Sequence, residues 1–223
     1  VKGSFLATIS HDLRQPLQGM ATFTELATKA LTDANLRRLG EMAQASLRTS
    51  NRMLEDLVDL AQLESGVAHV DPQPVALRPL LIRLVSDARP AAERQGLELR
   101  LVVPDLWVLS DAVRLQQIVQ NLLSNAIKYT RQGKVLLGCR RSGDDLRIEV
   151  WDTGQGISPE HMGMLFEEFY QVDNPERNSR QGIGLGLAIV DRTARLLGHP
   201  LAVRSEPGKG SVFSVTVPLM VRP

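Results

Sequence analysis

A histidine next to a carboxylate stands near the N-terminus of the 223-residue chain, in the run Ser10-His11-Asp12. Apolar residues such as Leu6 and Leu13 recur at heptad spacing through this stretch, and in that frame His11 lies opposite the apolar seam and faces solvent. Asp12 can hold one ring nitrogen of the imidazole and leave the other free as a nucleophile. A lone histidine on a helix is more often a solvated surface residue. A nucleophilic role therefore depends on whether the chain also carries a nucleotide site.

Two asparagines and a lysine share one face of a predicted helix that runs from Gln117 to Tyr129. Asn121, Asn125 and Lys128 are separated by four and three residues, which aligns them on a helix. Asparagine is a middling helix former, so two aligned asparagines need a reason. Amide oxygens can bind Mg²⁺ while phosphates and water fill its other positions, and the lysine balances charge. A pair of ordinary surface amides explains these residues alone equally well.

Two glycine-rich stretches also point to a nucleotide. Asp152-Thr153-Gly154-Gln155-Gly156-Ile157 follows a predicted strand, where the carboxylate can accept a hydrogen bond from an exocyclic amine such as that of adenine. The glycines would let the backbone approach a flat base. Gly182-Ile183-Gly184-Leu185-Gly186-Leu187 opens a predicted helix, whose free N–H groups and dipole can meet phosphate oxygens. It lacks the frame of a dinucleotide fingerprint and is not a P-loop. The polar segment between them, Asn174 to Gln181, is predicted to be a lid.

The first part of the chain must position the histidine, and it is predicted to be a helical hairpin. One helix reaches about Leu31 with a bend at Pro16, a connection covers Thr32 to Asn35, and a second helix ends at Ser65-Gly66. Two such helices have too little core to be stable alone, so two copies are expected to form an antiparallel, dimeric four-helix bundle. Packing of the hairpin on its own C-terminal domain is the alternative.

The second part is predicted to be an α/β sandwich, with a sheet covered by helices on one face. The proline-rich stretch Val67 to Pro79 is interpreted as the domain boundary, which gives domains 1–66 and 67–223. The predicted helices are Leu80 to Gln95, a helix capped by Asp111 that runs to Tyr129, and Leu185 to Leu197. The predicted strands are Leu97 to Leu101, Val135 to Arg141, Leu146 to Trp151 and Val212 to Val217, with a turn at Ser142-Gly143.

Composition limits the function classes. The formal net charge is only +1, which argues against a general nucleic-acid or anionic-membrane binder. No apolar run reaches membrane-spanning length and nothing resembles a signal peptide. The single cysteine, Cys139, is interpreted as a reduced core residue, which fits a cytoplasmic location. Because the chain starts with Val1, we expect an excised catalytic core whose neighbours have been removed.

Together these motifs resemble those of the bacterial sensor histidine kinases, over essentially the whole chain. Each motif is modest alone, but six in the same order are highly specific. They are the H box with His11, Asp12, Arg14 and Pro16, the N box Asn121 to Tyr129, the first glycine box Asp152 to Gly156, the F box Phe166 to Phe169, the second glycine box Gly182 to Gly186, and the terminal glycine turn Gly208 to Ser211.

The resemblance implies a two-domain α plus α/β protein, with a dimerisation and phosphoacceptor domain joined to a Bergerat-type domain that binds ATP and Mg²⁺. It implies that His11 attacks the γ-phosphate with Asp12 as base or orienting group, and that Asp152 holds the adenine amine. Asn125 would be the main Mg²⁺ ligand, supported by Asn121. Lys128 would contact phosphates and Tyr129 would lie near the base. The implied nucleotide-binding residues are Asn121, Asn125, Lys128, Tyr129, Asp152, Gly154, Gly156, Ile157, Gly182, Gly184, Leu185 and Gly186.

The implied partners are a second copy of the chain and the receiver domain of a response regulator, separate or fused, whose aspartate takes the phosphoryl group. One position departs from the commonest pattern, because Gln15 stands where many relatives have Thr or Asn, and weak or absent phosphatase activity toward the receiver is expected. Two other functions compete: an ATP-hydrolysing clamp and a non-catalytic nucleotide scaffold of the same fold. Clamps carry a carboxylate to activate water where this chain has Asn121, which cannot act as a base.

Overall fold

A computed structural model describes residues 17, 20–29, 33–66, 68–172 and 184–222, without the side chain of Arg52. The described residues form two compact units, a helical one before His69 and a sheet-containing one that takes up residues 69–172 and 186–222. Several predicted features lie outside the described residues. These are His11, Asp12, Gln15, the bend at Pro16, Gly182 and the lid from Asn174 to Gln181.

The first unit contains helix α1, at residues 20–29, and helix α2, Ala34–Glu64. Asp33 caps α2, because its Oδ1 accepts hydrogen bonds from the backbone N–H groups of Asn35 and Leu36 at 2.8 and 3.0 Å. The last two residues of the predicted connection, Ala34 and Asn35, are therefore already helical. The helix ends at Ser65, and Gly66 takes the predicted left-handed conformation with φ of 67°.

The two helices pack closely where Thr28 of α1 meets Gly40 of α2. A Cβ atom at Gly40 would lie only 2.2 Å from Thr28 Oγ1, so glycine is what allows this approach. The Thr28 hydroxyl donates to Thr24 O at 2.6 Å, which keeps it bonded in this buried position. This contact agrees with the predicted hairpin. Much of the apolar surface of both helices stays exposed, at Met20, Phe23, Leu26, Leu36, Leu39 and Met42.

The second unit contains one mixed sheet of seven strands and four helices among its described residues. In chain order the elements are β1 Gln73–Ala76, α3 Leu77–Arg94, β2 Glu98–Val102, β3 Trp107–Ser110, α4 Ala112–Tyr129, β4 Lys134–Ser142, β5 Asp145–Asp152, α5 Pro159–Met162, α6 Gly186–Leu197, β6 Leu201–Glu206 and β7 Gly210–Met220. The strand order is β1-β3-β7-β5-β4-β2, and β6 also pairs with β7. Only β2 and β4 are parallel; the other strand pairs are antiparallel.

The core of this unit lies between the sheet and helices α3, α4 and α6. Along β5, Ile148 and Val150 are buried against the helices, whereas Trp151 lies on the opposite face and is exposed. The helices contribute fully buried side chains such as Leu81 and Ile118 to the same cluster. This arrangement confirms the predicted α/β sandwich with helices on one face.

The stretch interpreted as a plain domain boundary contains structure that the sequence did not reveal. Residues 73–76 form β1, which pairs with β3, and α3 begins at Leu77 instead of Leu80. Proline is tolerated in an edge strand, as at Pro74, and in the first turn of a helix, as at Pro79. Two of the three prolines that signalled irregular structure here, Pro74 and Pro79, therefore lie in regular elements. Strands β3 and β6 were also missed.

Cys139 is half-buried on β4 with a free thiol, in keeping with its interpretation as a reduced residue. Burial, with a smaller contribution from the nearby negative charge of Glu149, raises the pKa of the thiol to about 12. The thiolate is therefore scarce at neutral pH. Separately, no helix among the described residues is long and apolar enough to cross a membrane.

Candidate nucleotide site

Helix α4 positions the two asparagines and the lysine. Asp111 caps it, since its Oδ1 accepts from the N–H groups of Val113 and Arg114, both at 3.0 Å. The helix then runs to Tyr129 as predicted. One side of α4 is buried in the core through residues such as Leu122 and Ile127, so its polar side is fixed in direction. The core packing of α4 thus orients the candidate ligands.

An open cleft lies beside this polar side. Five of the predicted site residues line it, namely Asn125, Tyr129, Asp152, Gly156 and Ile157. Several of the other lining side chains are apolar, including Leu165, Leu187 and Phe213. A cleft with apolar walls and a few convergent polar groups suits a flat base with polar edges.

Asp152 lies at the last position of β5, half-buried in the cleft wall. Its Oδ1 accepts from the N–H of Gly154 at 2.8 Å and from that of Ser211 at 3.3 Å. Burial raises the pKa of this carboxyl above its usual value, and the two backbone hydrogen bonds oppose the rise. Both bonds fall on the same oxygen, so Oδ2 is the atom suited to a ligand that donates a hydrogen bond.

Two positions after Asp152 require glycine, because backbone atoms from other parts of the chain approach them closely. A Cβ at Gly156, whose φ is 70°, would lie 2.1 Å from Glu206 O, and one at Gly154 would lie 2.5 Å from Tyr129 O. Gly156 lines the cleft, whereas Gly154 is buried behind it. The sequence suggested that these glycines make room for a base; their immediate structural role is to admit the protein's own backbone.

Asn121 and Lys128 do not line the cleft. Asn121 Nδ2 donates to Gln117 O at 3.2 Å, and its Oδ1 would lie 3.3 Å from a Cβ at Gly186. The amide oxygen therefore faces the first turn of α6. Lys128 Nζ donates to Tyr129 Oη at 2.7 Å and lies 4.4 Å from the centre of that ring.

The second glycine motif opens α6 as predicted, with Gly186 as the first helical residue. Gly184 has a φ of 78°, which favours glycine, and Leu185 is buried. Neither they nor Gly186 line the cleft, but Leu187 in the first turn does.

Sequence reasoning missed several cleft residues. Ser211 and Phe213 belong to β7, and the pairing of β7 with β5 sets them beside Asp152 and Val150. The alternating pattern of β7 signalled that Phe213 is buried, but not against what. The other lining residues not predicted as site residues are Ala126, Gln155, Leu165, Tyr170, Gln171, Val172 and Leu187.

The donor set fits a magnesium ion held together with phosphates. Within the described part of the chain, no group of three or more His, Cys, Asp or Glu side chains could hold a metal ion. Mg²⁺ prefers oxygen ligands and keeps several waters or phosphate oxygens. Amide oxygens such as those of Asn125 and Asn121 are ligands of this kind and carry no net charge, which would suit a site that also holds a polyphosphate.

Two protein families match the chain. The family described as histidine kinase-, DNA gyrase B-, and HSP90-like ATPase matches residues 110–221, which include the cleft-lining residues. The second unit is thus an ATPase domain of this class. The His Kinase A (phospho-acceptor) domain matches residues 1–66, which contain His11.

Sequence relatives agree with this assignment. The chain is 36% identical to the sensor histidine kinase RcsC of Escherichia coli over 221 residues, which cover 98% of this chain and 23% of RcsC. It is 37% identical to the sensor histidine kinase GacS of Pseudomonas protegens, over 98% of this chain and 25% of GacS. The chain belongs to the sensor histidine kinase family and carries its catalytic core. It spans about a quarter of the length of these relatives.

Solved structures show the same fold. Full-length ShkA in complex with AMPPNP superposes with a TM-score of 0.82 at 30% identity, covering 100% of this chain and 47% of ShkA. The Acinetobacter baumannii histidine kinase AdeS gives a TM-score of 0.67 at 21% identity, covering 94% of this chain and 98% of AdeS. The second likeness bears on the fold alone.

Proposed function

We propose that this chain transfers the γ-phosphoryl group of ATP to His11, and that the phosphohistidine then passes the group to an aspartate on a receiver domain. The observation that carries the proposal is the cleft between Asp152 and Asn125, in a domain of the matching ATPase family. The same chain holds a histidine in a region that matches a phospho-acceptor domain. AMPPNP, bound by the similar ShkA, is an ATP analogue.

Asp152 is proposed to recognise the adenine. Its Oδ1 is occupied by two backbone N–H groups, which leaves Oδ2 to accept from the exocyclic amine. The partly buried carboxylate gains most from a donor of this kind, because burial disfavours its charged form. The apolar walls, with Ile157 and Phe213, would sandwich the base.

The phosphates are proposed to lie toward Asn125 and the start of α6. Asn125 would hold Mg²⁺ with support from Asn121, and the bound ion would neutralise phosphate charge. Lys128 would contact phosphates, and Tyr129 would lie near the base. Backbone N–H groups at Gly182, Gly184, Leu185 and Gly186, at the positive end of the α6 dipole, are proposed to bind phosphate oxygens.

In the transfer step, a ring nitrogen of His11 forms a bond to the γ-phosphorus, and the bond from that phosphorus to the β–γ bridging oxygen breaks. ADP leaves with the electron pair. Asp12 is proposed to hold the proton on the other ring nitrogen, which stabilises the cationic phosphoimidazole. Attack by a receiver carboxylate then breaks the N–P bond, forms an acyl phosphate and restores His11.

We further propose that residues 1–66 form the dimerisation and phosphotransfer domain and residues 67–223 the ATP-binding domain. The exposed apolar residues of α1 and α2 support a homodimer, since a second hairpin would cover them. A receiver domain, separate or fused, is the proposed second partner. ATP and receiver domains are available in the cytoplasm, so we propose that location.

Incubation with γ-labelled ATP and Mg²⁺ distinguishes the proposal from its two rivals. A histidine kinase gives protein-bound label that is stable in base and labile in acid. An ATP-hydrolysing clamp gives free phosphate without labelled protein, and a scaffold that only binds nucleotide gives neither. Either of the last two results would overturn the proposed transfer to His11.

A further inference from the structure

One wall of the cleft comes from a residue outside the predicted site residues. Tyr170 lines the cleft, and its hydroxyl is joined to Nδ1 of His161 by a hydrogen bond of 2.6 Å. The two ring centres are 6.1 Å apart. His161 itself does not line the cleft.

His161 is held in place by its own short helix. It lies on α5, where its N–H donates to Ser158 O at 3.1 Å and its carbonyl accepts from Met164 N at 3.1 Å. Both hydrogen bonds fix the backbone that carries the imidazole. The Tyr170 hydroxyl is therefore bonded to a group with a defined position.

The backbone next to Tyr170 is strained. Among described residues other than glycine, Phe169 alone has a positive φ, at 61°, and its side chain is exposed. Such a conformation persists when the surroundings hold it. Two side-chain contacts flank it: Glu168 pairs with Arg192 of α6, and Tyr170 bonds to His161. On the far side of this turn, Tyr170 lies in the cleft wall.

We propose that Tyr170 is a nucleotide-contacting residue and that His161 is its positioning residue, so that their hydrogen bond sets the fit of the cleft around ATP. The inference rests on the proposed ATP site and deepens it. Without the bond the Tyr170 ring gains rotational freedom, and the free energy of ordering it is then subtracted from nucleotide binding.

The test measures the dissociation constant for ATP with Mg²⁺ by calorimetry, and the melting temperature without nucleotide. Tyr170→Phe keeps the ring and removes only the hydroxyl; His161→Leu removes the partner. Each is expected to weaken ATP binding roughly two- to tenfold. The double variant should be no weaker than either single variant, because both changes break one bond.

A rescue variant and a control sharpen the test. His161→Asn places an amide atom close to the position of Nδ1, so it should bind ATP within about twofold of the parent. His69 is exposed, and His69→Gln should change nothing. The ligand-free melting temperature should stay within about 4 °C of the parent in Tyr170→Phe and His161→Asn, because at most one part-buried side-chain hydrogen bond is lost.

The proposal is overturned if Tyr170→Phe and His161→Leu bind ATP as tightly as the parent. It is also overturned if their effects add in the double variant, or if ATP affinity falls only in step with melting temperature. In each of these cases the parent still binds ATP, and the proposed function stands. A parent that fails to bind ATP would instead overturn the proposed function itself.

Discussion

The two units of the chain treat their apolar residues in opposite ways. In the hairpin, Phe23 is 74% exposed and Leu39 is 60% exposed. In the sheet unit, Leu77, Leu81 and Ile118 have no exposed surface. Burial of a large apolar side chain contributes about 1.5–3 kcal/mol to the free energy of folding. The sheet unit gains this stabilisation from its own core, whereas the exposed apolar residues of the hairpin do not.

This difference suggests that the two units have different functions, one in binding nucleotide and the other in assembly. The sheet unit has a closed core that fixes the direction of α4 and β5, and so it can hold a preformed cleft. The hairpin needs another apolar surface, and a second copy of itself offers a matching one. We therefore expect changes to the hairpin to alter assembly and changes to the cleft to alter nucleotide affinity, each without the other.

Phe23→Asp should have the largest effect. In a twofold-symmetric dimer the change occurs twice, and each replacement removes burial and adds a charge, so the dimer dissociation constant should rise at least about 100-fold. Sedimentation equilibrium of the full chain measures it. Val221→Asp is the matched control, since Val221 is an 87% exposed apolar residue of the sheet unit. If Phe23→Asp has the same dimer dissociation constant as the parent, the exposed apolar surface of the hairpin is not the dimer interface.

Asp152→Asn should weaken ATP binding roughly 10- to 100-fold, because a hydrogen bond to a charged group is lost. The amide oxygen can keep the bonds from Gly154 and Ser211, which leaves the NH₂ group facing the adenine amine, donor against donor. Calorimetry with ATP and GTP gives affinity and discrimination. Asp145→Asn, at the other end of β5, is the control. Unchanged ATP affinity in the Asp152 variant would show that the base binds elsewhere.

Gly40→Ala should destabilise the hairpin by up to about 2 kcal/mol. Overpacking of the new methyl group against Thr28 costs about 1–3 kcal/mol, and the better helix propensity of alanine offsets about 1 kcal/mol of that cost. Thermal unfolding of the full chain measures the effect, and adding Thr28→Ala should recover most of it. If Gly40→Ala has a melting temperature equal to or above that of the parent, the two helices do not pack closely at Gly40 and Thr28.

The smallest expected effect is a pH dependence of the sheet unit without nucleotide. Burial raises the pKa of Asp152 from its usual 3.8, so the folded state keeps this proton to a higher pH than the unfolded chain does. Its contribution to stability is full below pH 3.8 and is lost as pH rises through the folded-state pKa. Asp152→Asn removes that loss, so the variant should match the parent at low pH and melt slightly higher near neutral pH.

Asp111→Asn provides a control of opposite sign for that scan. Burial alone would raise the pKa of Asp111, but backbone N–H groups of Arg114, Asp71 and Val113, with the charge of Arg114, lower it overall. Its stabilisation is present above pH 3.8 and is lost as pH falls through the lower folded-state value. Melting differences of the same sign for both variants would contradict the assigned environments.

Local patterns were enough to predict some elements of the fold. Helix α4 has a capping residue, Asp111, and a regular apolar period, and it was predicted with its correct ends. The β4–β5 hairpin has alternating residues around Gly143, whose φ is 66°. In each case the signal and the structure lie within the same short stretch of chain.

Elements that depend on distant partners were not predicted. β1 pairs with β3 across α3 and β2, and the prolines in and around it were interpreted as a linker. In the cleft, Asp152 was predicted from the strand and glycines beside it. Ser211 reaches Asp152 only through the register of β5 with β7, and Tyr170 reaches the cleft through the turn at Phe169 and the bond to His161. No local periodicity encodes these pairings.

The measurement that tests the central claim most directly is ATP binding and covalent labelling on the same His11→Gln protein. The account predicts an ATP dissociation constant within about twofold of the parent, because the cleft belongs to the other unit, together with complete loss of acid-labile label. Peptide mapping of the parent should place the label on His11. Full labelling of His11→Gln, or a label mapped to another residue of the parent, would contradict the account.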